Sequence, residues 1–440
     1  MFYEPWTSFA TKIATSSNVT YVFDPDQSFV VDEKLAMIPS GVTLDFNGCT
    51  LKCKTPIVNR NCGIIQNAKV IFDQYTFDEE ENSQGLICSI NENKIQKTTL
   101  SFNSVTFKKA SVNCGCMVGY NTGVISDSTV IFTEMVTVIG SDVSNFGIVC
   151  GTNANGNVYD TSVKGGNLTL NEIKNCNAGG ICGYSTSGNF DNLRVQLHTI
   201  MGMRMNLCNF GGIVGRIVSS KVNNSEIISI YVISILNVKE KLNIGCISGH
   251  IEIKSRVENC NIGTVSNLYT ISCSNVKMGG LVGSMDFDTY TMKCSVKSIS
   301  LVHGDKCDEF HAGGLVGYNK GYVDSCSLDT IFKFKSSSID NINSIGGCIG
   351  TNYGMLTDSK VNKLPDIGSS KMKDINNVGG VCGSNYVTVR QCKVTKVDSL
   401  VVDGVGKNNC GGLIGYNKGE LLKSTIDKVC EVIVCDGTEN

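Results

Sequence analysis

The sequence predicts an all-β chain wound as a parallel β-solenoid, and three observations predict it. A glycine-centred phrase returns about every 33 residues, the residues between copies alternate as strands do, and asparagines fall in fixed columns beside the glycines. The first glycine of each G-x-x-x-G or near variant stands at Gly85, Gly115, Gly147, Gly179, Gly211, Gly245, Gly279, Gly313, Gly346, Gly379 and Gly411. The steps run from 30 to 34 residues, which predicts about eleven coils, one per repeat. Each strand would pair with its copy one coil on, at a spacing of about 4.8 Å.

Composition agrees and narrows the partners. Only 18% of the 440 residues are charged and the net charge is −2, so nothing favours nucleic acid or an anionic membrane as partner. Hydrophobic residues make up 41%, too many for a disordered chain. The opening, "MFYEPWTSFATKIATSSNVTYVFDPDQ", has no basic stretch leading into an apolar one and predicts no secretory signal. The longest apolar run, Ile227–Val238, is too short to cross a membrane and reads as a buried strand.

In chain order, residues 1–37 read as an N-terminal cap or lead-in, 38–84 as first, irregular coils and 85–440 as the repeats. After each glycine core comes a strand phrase of the form apolar-x-x-small-x-apolar, as in "VENCNI", "VDSCSL" and "LTDSKV". Its small residues form a column: Ser128, Thr161, Ser225, Cys260, Cys294, Cys326, Ser359, Cys392 and Ser424. That column suits a tight inward bend. Two residues before the first glycine stand Asn113, Asn145, Asn177, Asn209, Asn243, Asn377 and Asn409. A second asparagine column holds Asn91, Asn121, Asn153, Asn319, Asn352, Asn385 and Asn417. Asparagine tolerates turn geometry, and stacked copies bond one another in ladders. The final phrase, "DKVCEVIVCDGTEN", is strand-like with no amphipathic capping helix, which predicts an open edge covered by a partner, a second copy or a polar tail.

The glycine core resembles the GLUG repeat, with "GGLVG" at Gly279 and Gly313 and "GGLIG" at Gly411 as its clearest copies. The resemblance covers roughly Gly85 to the C-terminus. "IPSGVTLDFNGCTLKC", Ile38–Cys53, resembles the first coil of pectate-lyase-like β-helices. Together these imply a single-stranded, right-handed parallel β-helix. GLUG repeats form stalks of bacterial surface adhesins and of immunoglobulin-A-cleaving metallopeptidases. The peptidase does not carry over, because its His-Glu-x-x-His zinc motif is absent from a chain whose four histidines are His198, His250, His303 and His311.

Candidate sites are few. A nucleotide loop needs one glycine turn between a strand and a helix, whereas here the turn recurs with no helix after it. The 22 cysteines mostly sit in columns where sister coils carry Val, Ile, Ser or Thr, which predicts buried free thiols made in a reducing compartment. Same-column pairs such as Cys260 and Cys294 would come within disulfide range, and "CGC" at Cys114–Cys116 lacks a second metal-binding pair. In "HGDKCDEFH", His303, Asp305, Cys307, Glu309 and His311 alternate and could share a metal face, but His311 falls in the first asparagine column. Asp286 and Asp288 offer two carboxylates in one coil without a companion cluster. Tyr120, Tyr184, Tyr318 and Tyr416 form an aromatic column interrupted by Thr152, Thr351 and Ser384.

No catalytic, cofactor-binding or metal residue is expected. The expectation is a non-enzymatic structural or scaffolding solenoid, intracellular or part of a particle made in the cell. It would join a cytoskeletal or viral assembly of other protein chains through its C-terminal end or one flank. The alternative is an adhesin or receptor-binding spike at a cell surface. A polysaccharide-processing β-helix comes third and requires stacked carboxylates, aromatics and basic residues on neighbouring coils.

Overall fold

The computed structural model describes residues 6–79, 81–108 and 112–436. One helix, Trp6–Ala14, precedes a chain of strands arranged in three parallel sheets. The coil that begins at Gly313 shows the plan. Val316–Asn319 joins the first sheet, Tyr322–Asp324 the second, and Ser327–Ser337 with Ile342–Gly346 the third. Each pairs in parallel with its copy in the next coil, for example Val316 with Ile349 and Tyr322 with Met355. This is the predicted β-solenoid.

The chain divides into two compact units between Leu197 and His198. Unit 1 contributes first-sheet strands from Leu35–Ile38 and Val58–Asn61 through Cys182–Thr186, and unit 2 from Val214–Val218 through Ile414–Asn417. The strands Leu35–Ile38 and Val58–Asn61 precede Gly85, so coiling starts before the glycine phrase does. At the start of unit 1 the helix buries Trp6, Phe9 and Ile13, on one helical face. The Trp6 indole donates to the Glu33 carbonyl at 2.8 Å, and Phe9 meets Phe23 edge to face at 5.1 Å.

The glycines are explained by close approach, not by a left-handed backbone. A Cβ on Gly313 would fall on the carbonyl oxygen of Val316, three residues on, and lie 2.8 Å from the backbone nitrogen of Gly350. Gly350 is the second glycine of the following coil. The same interlock joins Gly115 to Gly151 and Gly379 to Gly415, so G-x-x-x-G lets each corner nest on the next. Left-handed residues mark a different corner. Asp127, Asn259, Lys293, Ser325, Asp358 and Gln391 all have φ between 49° and 54° or just below, at 47° for Asp358. Each precedes a member of the small-residue column. Those members then donate back to the carbonyl two residues earlier, as Ser128 does to Ser126 at 2.7 Å and Cys326 to Asp324 at 3.2 Å.

One expectation needs adjustment and one holds. Ile227–Val238 lies in the strand Glu226–Gly245, but only Ile227, Ile230, Ile233, Ile235 and Val238 are buried, and Ile228 and Tyr231 face outward. All 22 cysteines are free and most are buried, including Cys260 and Cys294, which pack as stacked thiols. At the last coil, side chains whose column mates are covered lie open. Leu421 continues the buried column Val323, Leu356 and Val389, yet is 38% exposed. Leu422, Val432, Ile433 and Val434 are exposed with it.

Candidate binding corner of unit 2

Both asparagine columns form ladders. In unit 1, Asn61 donates to Asn91, Asn91 to Asn121 and Asn121 to Asn153, at 2.7–2.8 Å, all fully buried. Asn61 lies outside the columns that the sequence suggested. In unit 2 the chain Asn319, Asn352, Asn385, Asn417 repeats the pattern at 2.8 Å. The column before the glycines bonds in the opposite direction. Asn177 donates to Asn145 and Asn145 to Asn113, while Asn243 donates to Asn209 and Asn409 to Asn377. A third short ladder, Asn343, Asn376 and Asn408, lies one residue from that column.

Within unit 2 the two columns break over neighbouring coils. Between Asn243 and Asn377 the first column carries Lys277, His311 and Ser344. The second carries Ile217, Ile251 and Met285 before Asn319 resumes. Around these breaks charged and aromatic side chains gather. Arg216 grips Glu252 with two bonds, Nε to Oε1 at 2.7 Å and Nη2 to Oε2 at 2.9 Å. His250 sits between two carboxylates, Nδ1 3.0 Å from Glu252 and Nε2 3.4 Å from Asp286. Burial pushes the Glu252 carboxyl up, but the His250 and Arg216 bonds outweigh it and hold it at about 2. The imidazole of His250 likewise holds Asp286 low against its partial burial.

One coil further, Glu309 accepts from Asn275 and lies 3.8 Å from His311 Nε2. The His311 ring holds Glu309 below the usual carboxylate range. His311 is buried, bonds Thr351 through Nδ1 at 2.8 Å, and is pushed down by burial. The Lys277 ammonium stands 3.9 Å over the Tyr318 ring. Burial, then the charges of Lys241 and Lys320, lower it to about 8. These residues border a cavity of about 200 Å³ lined by Asn275, Lys277, Ser344, Thr351, Tyr353 and Ser384.

The proposed metal face does not assemble as a set. Glu309 and His311 join the corner, whereas His303 stacks on Tyr269 at 5.6 Å and buried Cys307 bonds the Asp305 carbonyl. Asp286 and Asp288 also part: Asp286 enters the corner, and Asp288 sits in a left-handed turn. Among the described residues, His250, Glu252 and Asp286 form the one group close enough to share a metal ion. Arg216 already holds both oxygens of Glu252 and His250 Nδ1 lies 3.0 Å from the same carboxylate, so the set is partnered within itself. The tyrosine column is in register, Tyr318 with Thr351, Ser384 and Tyr416. Its gaps are filled from two residues along, giving a stack Tyr318, Tyr353, Tyr386, Tyr416 with Tyr353 and Tyr386 4.3 Å apart. A larger, open hollow of about 610 Å³ beside Arg204, Asn237, Ser272 and Lys306 follows the left-handed bends of successive coils.

Arg216, Lys241, His250, Glu252, Lys277 and Lys320 were not singled out by sequence reasoning. The signal was present in negative form, since Lys277 stands where sister coils carry asparagine. Compared with known proteins, the chain matches no family model, no curated protein and no solved structure.

Proposed function

We propose that the protein is a non-enzymatic structural or scaffolding β-solenoid that joins a larger assembly through the corner of unit 2. The observation that carries this reading is the joint break of both asparagine columns, where charge and aromatic rings replace a neutral ladder. A repeat that departs from its own rule on neighbouring coils is where function is expected to reside. The carboxylates at the corner are paired and held ionised. That suits fixed electrostatic recognition better than general acid catalysis, which needs a raised carboxyl pKa. Other protein chains are the proposed partners, with the open last coil as a second contact through strand addition. Buried free thiols favour manufacture in a reducing compartment.

An adhesin or receptor-binding role is the second reading, favoured by the GLUG-like cores and by Phe287, 65% exposed at the rim. For polysaccharide processing, the corner does bring carboxylates, cations and aromatics onto neighbouring coils. Against it, Tyr353 and Tyr386 stack on each other instead of offering open ring faces to a sugar. Cryo-EM of material isolated from its source tests the proposal. The expected result is partner density along the corner from Arg216 to Tyr386. Density confined to the last coil, or a bare isolated particle, would overturn the flank assignment.

A further inference from the structure

Three lysines on neighbouring coils of unit 2 lie near one another without an ion-pair partner among the described residues. Lys241, Lys277 and Lys320 are each half-buried, although lysine is ordinarily a solvated surface residue. Among the described residues no carboxylate oxygen lies within ion-pair distance of any of them, because the nearby acids are engaged elsewhere: Glu252 by Arg216 and His250, Asp286 by His250, Glu309 by Asn275 and His311. Lys277 Nζ is 3.9 Å and Lys320 Nζ 5.7 Å from the centre of the same Tyr318 ring. Lys320 is also 5.5 Å from the ring centre of exposed Phe287. Rings attract ammonium groups, but they do not cancel charge. Two like charges over one ring, with a third on a neighbouring coil, repel each other in a partly desolvated corner.

We propose that this corner accepts an oxyanion between Lys277 and Lys320, supplied by the carboxylate or phosphoryl group of an acidic segment on a partner protein. The inference rests on the reading that the corner is the binding face, and it names the chemistry of what binds there. The cavity beside Lys277 suits a small polar group. Asn275, Ser344, Thr351 and Ser384 line it with short donors and acceptors beside Glu309 and His311, and its volume is about 200 Å³. A continuous polyanion such as a nucleic acid fits poorly, since Glu252, Asp286 and Glu309 interrupt the positive charge and the whole chain carries −2. Glu309 lines the same cavity, but its carboxylate is held by Asn275 and His311, so one anionic group placed between the Lys277 and Lys320 ammonium groups relieves their repulsion. Burial lowers the basicity of both Lys277 and Lys241, and for Lys277 the neighbouring Lys241 and Lys320 charges add to it.

The test uses the full chain, with inorganic phosphate and, separately, glutarate titrated at constant ionic strength against chloride. Acylation of Lys277 by an amine-reactive ester is read by peptide mass spectrometry, alongside the melting temperature. At an anion concentration ten times its Kd, acylation of Lys277 should slow by about tenfold. The melting temperature should rise saturably, and Lys277→Met and Lys320→Met should each remove most of that rise. Protection by phosphate alone identifies a phosphorylated segment; protection by glutarate identifies Asp or Glu. Equal behaviour in phosphate, glutarate and chloride, read on the wild-type chain, overturns the proposal whether or not the variants fold. If source material shows the corner occupied while no oxyanion protects Lys277, the anion inference falls and the scaffold reading stands. If the corner is bare in the assembly while phosphate protects Lys277, the scaffold reading falls and the anion site stands.

Discussion

The same position in the coil is used in two ways. In unit 1, the strands Val58–Asn61 through Cys150–Ala154 stack one neutral amide on another, and every member from Asn61 to Asn153 is buried and bonded. In unit 2, the strands Val214–Val218 through Val282–Met285 keep the pairing and lose the amides, with Ile251 and Met285 inside and Arg216, His250, Glu252 and Asp286 outside. The backbone does not notice the change, because parallel pairing is set by main-chain bonds and by the glycine corners. Side-chain columns are therefore free to serve either stability or recognition. The ladder serves the first, and in the proposed reading the broken stretch serves the second.

The largest expected effect lies in what both regions share. Gly313→Val forces a branched side chain into the carbonyl of Val316 and should remove about 4 kcal/mol or more, as severe overpacking and backbone shifts do. Gly140, at φ 55° with no atom within 4 Å of an added Cβ, is the control. Gly140→Ala should lose only about 1 kcal/mol, the strain of a left-handed residue. Chemical denaturation of the pair checks both, and equal stability would remove the close-approach argument.

Next comes the neutral ladder. Asn121→Leu strips two ladder bonds and one to the Gly123 carbonyl, orphaning the buried Oδ1 of Asn153 and leaving Asn91 Nδ2 only its long bond to the Val124 carbonyl. A loss of about 3 kcal/mol is expected from such orphaned groups. A loss under a third of that would mean the ladder contributes little beyond filling space.

The charged corner should respond less to deletion and more to pH. Glu252 is held at about 2 against an ordinary 4.5, so its contribution is present above the ordinary value and disappears as pH falls toward 2. Arg216 is partly exposed, which limits the pair to about 1 kcal/mol at neutral pH. Glu252→Gln should flatten the acid limb of the stability curve; an unchanged limb contradicts the pairing. Lys277 has the opposite sense. Its folded value, about 8, lies below the ordinary 10.5, so the unfolded chain binds the proton more readily in between and stability rises with pH across that interval. Thermal melts of wild type and Lys277→Met across that range isolate the term. The smallest effect belongs to the tyrosine stack, where Tyr386→Leu should lose about 1 kcal/mol.

Much of the fold was legible because repetition exposes it. Gly85 to Gly411 fixed the period, and Asn113 and Asn121 marked columns that ladders then occupy. The left-handed bend residues were not legible, since Asp127, Lys293 and Gln391 share a backbone angle and no side-chain chemistry. The corner was half legible. Asp286, Glu309 and His311 were noticed, but paired with the wrong companions, His303 and Asp288, because neighbours along a strand are easier to see than neighbours across coils.

By itself, then, the sequence determined the coil length, the parallel stacking and the two main asparagine ladders, all of which follow from a side chain recurring at one period. Only the tertiary structure decided which charges meet. Arg216 and Glu252 are 36 residues apart, and His311 and Thr351 40 apart, yet bond across adjoining coils. That distance is set by winding: a coil of some thirty residues advances the stack by about 4.8 Å, so side chains far apart along the chain become nearest neighbours.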